Sequence, residues 1–257
     1  MTSGLFQAQT ENLRAGQHSR PSNELIQPQH TPPCDRATQF GPIDADPRDL
    51  FVIDADELQQ YGQWTKSKAR MIRRDAPKDE ILIFVHGYCG LPHSTRSGCA
   101  VVHRPTSRPY HASDGHLLAF CLESCGPTGE LHPASEERAH LRAAIAALEH
   151  ADLADEGWLR VTVASCSFTL VNGITNKITD WQQQGWRHVI SGEPVENRDM
   201  WERLLALVNK YASEGVEVRF WLVGKHLNKG ARKEAKKVSK TGKTRKAYTT
   251  RSANGSR

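Results

Sequence analysis

A helix placed between β-strands is the feature that most limits how this chain can fold. Residues 134–150 (ASEERAHLRAAIAALEH) carry small and aliphatic side chains at helical spacing, and Ser135 is suited to cap the first turn. The apolar run EILIFVHGYC (80–89) precedes this helix, and the β-branched run LRVTVAS (159–165) follows it. A strand–helix–strand unit of this kind predicts a parallel strand pair within an α/β fold.

The other predicted elements extend this unit in a regular order. Two further strands lie before the helix, and two helices, a strand and a last helix come after residue 165. The strands before the helix have predicted bounds of 98–105 and 116–123. The later elements are helices at 169–185 and 194–215, a strand at 216–223 and a last helix at 227–238. The complete order is βββαβααβα, which predicts a five-stranded mixed sheet with flanking helices.

Composition separates this domain from its flanks. Hydrophobic residues make up 38% of the 257 residues, and the apolar runs lie between about residue 80 and residue 238. We therefore predict a folded domain over residues 79–238. Residues 1–78 are predicted to be disordered or weakly structured, with 47–78 as either a linker or a docking motif for a protein partner. Residues 239–257 are predicted to form a basic, disordered tail.

The same composition limits where the protein is expected to work. No run approaches the roughly 18 apolar residues that a membrane span needs, and no secretory signal is visible. Six cysteines occur without a CxxC pair, which favours reduced thiols. We expect an intracellular monomer, nuclear or cytoplasmic, that does not bind membranes.

Charge is distributed unevenly along the chain. Residues 225–257 hold twelve Lys and Arg residues and one acid, whereas the remainder holds 22 basic and 28 acidic residues. An acidic body with a basic C-terminal segment predicts a polyanionic partner or a nuclear address. The candidate nucleic-acid contacts in this segment are Lys236, Lys237, Lys240, Lys243, Arg245 and Lys246.

The strand that ends in HGYCG (86–90) resembles the oxyanion-hole segment of α/β-hydrolases. Such enzymes also need a G-x-S-x-G nucleophile elbow between a strand and a helix. The nearest candidate, VASCSFTLVNG, lacks both glycines around Ser165 and Cys166. This absence argues against a hydrolase.

Six stretches with distinctive motifs follow one another over roughly residues 80–238. They are FVHGYC, SGCAVV, CGPTGELHPASEERAHLRAAIAAL, VASCSFTLVNG, WQQQGWRHVISGEPVENRDMWERLL and VRFWLVGKHLNKGARKEAKK. These stretches and the order βββαβααβα resemble the ribonuclease H family, most closely its variants in filamentous fungi. The resemblance implies cleavage of the RNA strand of RNA–DNA hybrids, with four carboxylates holding two Mg²⁺ ions.

The four carboxylate positions that the resemblance implies carry other side chains in this sequence. A pattern like TDGAC is VHGYC here, which places His86 at the first position. A pattern like NRAEL is ERAHL here, which places His140 at the second position. A pattern like ATDS is ASCS, with Cys166 at the third position, and a pattern like NKEAD is NKGAR, with Arg232 at the fourth. None of the four is an acid. The sequence therefore predicts a pseudonuclease that binds nucleic acid without a cofactor and without two-metal catalysis.

Alternatives to the pseudonuclease remain open at this point. Shifted acids would restore a Mg²⁺-dependent hybrid nuclease, and the candidates are Glu136, Glu137 and Asp199. The set His86, His140 and Cys166 should converge, and two imidazoles with a thiol form a zinc-type ligand set. A protein-interaction module without nucleic-acid affinity is the third alternative.

Two residues outside these positions are candidates for nucleic-acid binding. Trp181 and Asn197 persist from the family's substrate-handling segment. For Trp181 the competing interpretation is packing in the core. For Asn197 it is a turn or helix cap.

Overall fold

In the computed structural model of the protein, the chain divides into two units, residues 1–30 and residues 31–257. Every described residue belongs to the second unit. These residues are 36–41, 45–54, 70–90, 96–103, 117–150 and 153–251. The disorder predicted for residues 1–35 therefore concerns a segment outside the described residues. None of the helices in the described ranges is long and apolar enough to cross a membrane.

The order of elements from residue 80 onward is the predicted one. The strands are β1 Thr38–Gln39, β2 Phe51–Ile53, β3 Met71–Arg73, β4 Glu80–Cys89, β5 Ser97–Val102, β6 Leu117–Cys121, β7 Arg160–Ser165 and β8 Glu217–Leu222. The helices are α1 Pro47–Leu50, α2 Glu136–His150, α3 Phe168–Asn172, α4 Ile178–Gln183, α5 Arg198–Ser213 and α6 Lys229–Thr241. A π-helical turn, Gly173–Lys177, joins α3 to α4, so these two form the single helical stretch that the sequence predicts.

Strand β4 lies at the centre of a mixed sheet. It pairs in parallel with β7 on one side and antiparallel with β5 on the other. Strand β6 continues beyond β5, and β8 continues in parallel beyond β7. These pairings confirm the predicted five-stranded mixed sheet.

Among the described residues, three additional strands join this sheet. Strand β1 pairs in parallel with β8, while the hairpin of β2 and β3 pairs through β3 with the first half of β4. Phe51 and Met71 from the hairpin are buried in one cluster with Trp221 of β8. Parts of the segment predicted to be disordered or weakly structured are thus incorporated in the sheet.

Alternating side chains of β4 build a core on each face of the sheet. Ile81, Ile83 and Val85 are buried in the cluster that includes the apolar residues of α2 and α5. Leu82 and Phe84 point to the opposite face and belong to the cluster that includes Ala231 of α6. Helices therefore cover both faces, which explains why the β4 run is apolar without interruption.

The C-terminal segment is more ordered than the sequence predicts. Helix α6 continues to Thr241. The chain after it packs beside the loop that follows β6, where the backbone N–H groups of Ser124 and Cys125 donate to the carbonyls of Arg245 and Lys246. Residues 239–251 are therefore part of the fold rather than a disordered tail. Only residues 252–257 of the predicted tail lie outside the described residues.

Candidate functional site

Three of the four positions singled out in the sequence come together at one end of β4. The rings of His86 on β4 and His140 on α2 pack edge to face, with centroids 4.6 Å apart. The Cys166 thiol, directly after β7, lies 3.5 Å from Nδ1 of His86. The predicted convergence of these three side chains is confirmed.

A glycine makes this convergence feasible. The backbone N–H of Gly87 donates to Nδ1 of His140 at 3.1 Å. A Cβ atom at Gly87 would overlap the backbone of Ala139 and His140, so β4 and α2 approach more closely than any larger residue permits. The N–H donor also fixes the tautomer, because Nδ1 of His140 must be unprotonated to accept it.

The fourth position, Arg232, lies in the first turn of α6. Its guanidinium is exposed and donates to the carbonyl of Lys225 at 3.3 Å. Burial, together with the smaller effects of positive charge at His140, Arg232 and Lys225, lowers the pKa of His86 to about 3. Arg232 therefore contributes a positive charge close to the two imidazoles.

The side chains of this site are uncharged near neutral pH, apart from that arginine. Burial lowers the pKa of His140 to about 4. Burial also raises the pKa of the Cys166 thiol. Two neutral rings and a protonated thiol supply no negative charge to a cation, and the neighbouring guanidinium repels one.

This donor set does not fit the Mg²⁺ ions that the family resemblance implies. Mg²⁺ takes hard oxygen ligands, whereas His86, His140 and Cys166 offer nitrogen and sulfur. The set also gives no support to zinc, because Nδ1 of His140 is already occupied by the Gly87 N–H. Within the described residues, no group of three His, Cys, Asp or Glu side chains is placed to hold a metal ion.

The acids considered as replacements are engaged elsewhere or exposed. Both carboxylate oxygens of Asp199 accept hydrogen bonds from Arg138, at 2.9 and 2.7 Å. Burial raises the pKa of Asp199, but the bonds from Arg138 outweigh it and the pKa is lowered. Glu136 lies 3.8 Å from Nε2 of His140, yet its side chain is 67% exposed. Glu137 points into a separate cleft.

One contributor to the site was not predicted. Asn228, which precedes α6, is buried and donates from Nδ2 to the carbonyl of Val85 at 2.9 Å. The same nitrogen lies 3.9 Å from the Cys166 sulfur. Asn228 thus ties the start of α6 to β4 and β7, and its only sequence signal is its place before the last helix.

The two candidates from the family's substrate-handling segment lie in the separate cleft. Trp181 of α4 is buried and packs against Trp201, which supports the core-packing interpretation. Asn197 is the residue before α5 and has a left-handed backbone with φ of 57°. Its side-chain oxygen accepts a hydrogen bond from Arg138 at 3.2 Å. Neither residue adjoins the histidine pair.

The basic candidates form an exposed surface on and after α6. The helix buries Ala231, Glu234, Ala235 and Ser239, which leaves its lysines on the outer face. Lys236 lies over the Tyr88 ring, with its Nζ atom 5.8 Å from the centroid. We define the basic surface by its six exposed residues, Lys236, Lys237, Lys240, Lys243, Arg245 and Lys246.

Comparison with known families identifies the domain. The sequence model of the RNase H family matches residues 81–239, which is more than half of the chain. The chain belongs to the RNase H family. The family match and the observed strand order around β4 together establish the RNase H-like fold.

Individual relatives share the RNase H description. Ribonuclease H of Acidiphilium cryptum is 36% identical over 103 residues, which are 40% of this chain and 61% of the relative. Ribonuclease H of Novosphingobium aromaticivorans is 35% identical over 41% of this chain and 70% of its own length. Ribonuclease H of Pelobacter propionicus is 48% identical, over only 19% of this chain and 29% of the relative. Two of these three alignments span less than two thirds of the relative.

Solved structures with a similar fold include other members of the family. LC9-RNase H1, described as a type 1 RNase H with the type 2 active-site motif, has a TM-score of 0.43 and 21% identity. The alignment covers 66% of this chain and 76% of that one. A foamy viral protease–reverse transcriptase in complex with an RNA/DNA hybrid has a TM-score of 0.45 and 15% identity, over 62% and 20% of the two chains.

Proposed function

We propose that this RNase H family member is a pseudonuclease that binds nucleic acid, an RNA–DNA hybrid or another form, and does not hydrolyse it. The observation that carries the proposal is the histidine pair of His86 and His140, joined by Cys166 and Arg232 at the positions where the family places carboxylates. The convergence of His86, His140 and Cys166 supports the proposal because these side chains offer nitrogen and sulfur where Mg²⁺ would need oxygen ligands.

The electrostatic cost of placing Mg²⁺ at this site is large. A unit charge 4 Å from another interacts by about 4 kcal/mol at an effective dielectric constant of 20. A divalent ion at that distance from the Arg232 guanidinium would be repelled by about twice that value, and the carboxylate near His140, that of Glu136, is largely exposed to solvent, which weakens its attraction. The shifted-acid alternative loses Asp199, whose charge is neutralised by Arg138.

The basic surface is the part of the molecule best suited to a polyanion. The docking of residues 243–251 holds Lys243, Arg245 and Lys246 next to the lysines of α6. Fixed charges lose less conformational entropy on binding than charges on a disordered tail. Family membership supports a nucleic acid as the polyanion.

Fluorescence anisotropy with a labelled RNA–DNA hybrid, double-stranded DNA and single-stranded RNA tests the proposal. If the basic surface neutralises about five phosphates, log K should fall with log salt at a slope of about −4 to −5. A flat salt dependence would contradict binding through this surface.

A matched pair of variants locates the contact. Lys240→Gln with Lys243→Gln should weaken binding about tenfold and reduce the salt slope by about 2. Lys78→Gln with Lys210→Gln removes the same charge from exposed positions elsewhere and should change affinity less than about twofold. Equal losses in the two variants would show that only net charge matters. Substitutions are preferable to truncation here, because α6 buries Ala231 and Ala235 in the fold.

A further inference from the structure

A second cavity, which we call the acidic cleft, lies beside the first turn of α2. Its volume is about 420 Å³. Helices α2, α3, α4 and α5 and the loop before α5 form its walls. The lining residues used below are Glu137, Trp181, His188, Glu193, Glu196 and Trp201.

The charge of the acidic cleft is negative. Glu137, Glu193 and Glu196 line it and are exposed, whereas no Lys or Arg is among the lining residues. Three arginines adjoin lining residues in the chain, and each guanidinium donates to a group of the protein. Arg138 is buried and donates to Asp199 and Asn197, the exposed Arg187 donates to the carbonyl of Gly192, and the exposed Arg198 donates to Glu202. A phosphate in the cleft would face the three carboxylates of its lining, so the cleft disfavours nucleic acid.

Aromatic rings form the floor of the acidic cleft. Trp181 and Trp201 have ring centroids 5.3 Å apart, and the imidazole of His188 lies 5.9 Å from Trp181 at 85°. Indole faces attract ammonium and guanidinium groups through the cation–π interaction. A cleft lined by carboxylates and indoles is thus complementary to an organic cation.

The loop between α4 and α5 holds the wall of the cleft in place. The N–H of His188 donates to the carbonyl of Glu193 at 2.9 Å, and the N–H of Gly192 donates back to His188 at 2.8 Å. The N–H of Val195 donates to the carbonyl of Trp186 at 2.9 Å. A wall with this internal bonding is formed before a ligand arrives, which lowers the entropy lost on binding.

Large apolar side chains next to the cleft remain in solvent. Ile190, at the tip of the same loop, is fully exposed, and Val189 beside it is 66% exposed. Phe168, which begins α3 between two lining residues, is also 66% exposed. Exposed apolar residues around a concave site are typical of protein–protein contacts rather than of small-ion sites.

We propose that the acidic cleft binds a basic peptide segment of a partner protein, with an arginine or lysine side chain inserted over Trp181 between Glu193 and Glu196. The apolar side chains of the rim would contact the peptide on either side of that cation. This inference stands independently of nucleic-acid binding, because it uses none of the residues of the basic surface.

Titration with a short labelled peptide of alternating Arg and Gly tests the inference on the full chain. We expect saturable binding that weakens at least about fivefold when citrulline, an uncharged isostere, replaces each arginine. Glu193→Gln with Glu196→Gln should cause a similar loss. Glu130→Gln with Asp155→Asn removes two exposed acids outside the cleft and should change affinity less than about twofold.

Three outcomes would overturn the inference. In the first, the arginine and citrulline peptides bind equally well. In the second, the two double variants lose the same amount of peptide affinity. In the third, an RNA–DNA hybrid displaces the peptide and also fails to bind the variant with Glu193→Gln and Glu196→Gln. Unchanged binding of the hybrid to that variant separates this test from the test of the proposed function.

Discussion

At the scale of single residues, His86 and His140 act as buried, uncharged packing partners. Their rings contact edge to face, and the Gly87 N–H holds His140 in its neutral form. Protonation of either ring would place a charge in a site with little solvent and near Arg232. The pair thus favours the folded state only while both rings are neutral.

This arrangement predicts a loss of stability in mild acid. The folded-state pKa values, about 3 for His86 and about 4 for His140, lie below the usual 6.5, so the unfolded chain binds more protons between these values. Stability is therefore complete above pH 6.5 and falls as pH decreases below it. Urea unfolding should lose about 2 kcal/mol per histidine between pH 7.5 and pH 5.

Two variants assign that loss to the histidine pair. His140→Gln should remove about half of the pH dependence, whereas His188→Gln, at an exposed position, should leave it unchanged. An identical pH dependence in the parent and the His140→Gln chain would contradict the assignment.

Gly87 provides a second prediction at this scale. Gly87→Ala should destabilise the fold by at least about 3 kcal/mol in urea unfolding, because its Cβ would overlap the backbone of α2. Gly129→Ala is the comparison, since Gly129 has a positive φ of 86° but no neighbouring atoms within 4 Å. It should cost only about 1–2 kcal/mol, the price of the left-handed backbone. Similar losses of unfolding free energy in both variants would show that the structure around Gly87 adjusts to accommodate the added methyl group.

Much of the histidine site could be predicted from the sequence, and its periphery could not. His86, His140 and Cys166 follow from motif positions on β4, α2 and β7. Asn228 could not be anticipated, because its role depends on a hydrogen bond to Val85 across the sheet. The pairing of Asp199 with Arg138 is likewise a contact between distant segments, and it removes the acid that sequence spacing leaves available.

At the scale of elements, an ionic network fastens the C-terminal segment to α2. Arg142 is fully buried and donates to Glu123 at 3.0 Å and to the carbonyl of Thr249 at 2.7 Å. Glu149 accepts from the Tyr248 hydroxyl at 2.7 Å and from Arg203 at 2.8 Å. The segment after α6 therefore supplies partners that the buried charges of α2 require.

Removal of one buried charge should release the segment. Glu149→Gln should reduce the free energy of unfolding by about 3 kcal/mol, because it removes one of the two carboxylates that pair with the buried Arg142 and the carboxylate that pairs with the half-buried Arg203. Glu214→Gln breaks a surface pair with Lys210 and should cost no more than about 1 kcal/mol. Urea unfolding of both variants is the measurement, and equal losses would contradict a structural role for the network.

The elements that the sequence did not predict depend on contacts with distant parts of the chain. Strands β1, β2 and β3 have only two or three residues each, too few for a periodic pattern, and they form because β8 and β4 offer unpaired edges. The ordered segment after α6 is polar and basic, so composition predicts disorder. It is held by hydrogen bonds that Tyr248 and the backbone of Arg251 donate to Glu149, about a hundred positions earlier in the chain. Long, apolar elements such as β4 and α2 were predictable because their own side chains determine them.

At the scale of the whole molecule, two surfaces of opposite charge occur on one RNase H domain. The basic surface belongs to α6 and the segment after it, and the acidic cleft belongs to α2, α3, α4 and the loop before α5. Neither involves the histidine pair. We therefore propose that the domain binds partners through these two separate surfaces and that the histidine site does not hold metal ions.

Cleavage of a labelled RNA–DNA hybrid by the purified chain, with Mg²⁺ or Mn²⁺ added, tests this account most directly. A bacterial ribonuclease H serves as the active control, and binding to the same hybrid is measured on the same sample. We predict that the chain releases no product above the metal-free background at concentrations where the hybrid is bound. Metal-dependent cleavage that is lost in Glu136→Gln or Asp199→Asn would contradict the account.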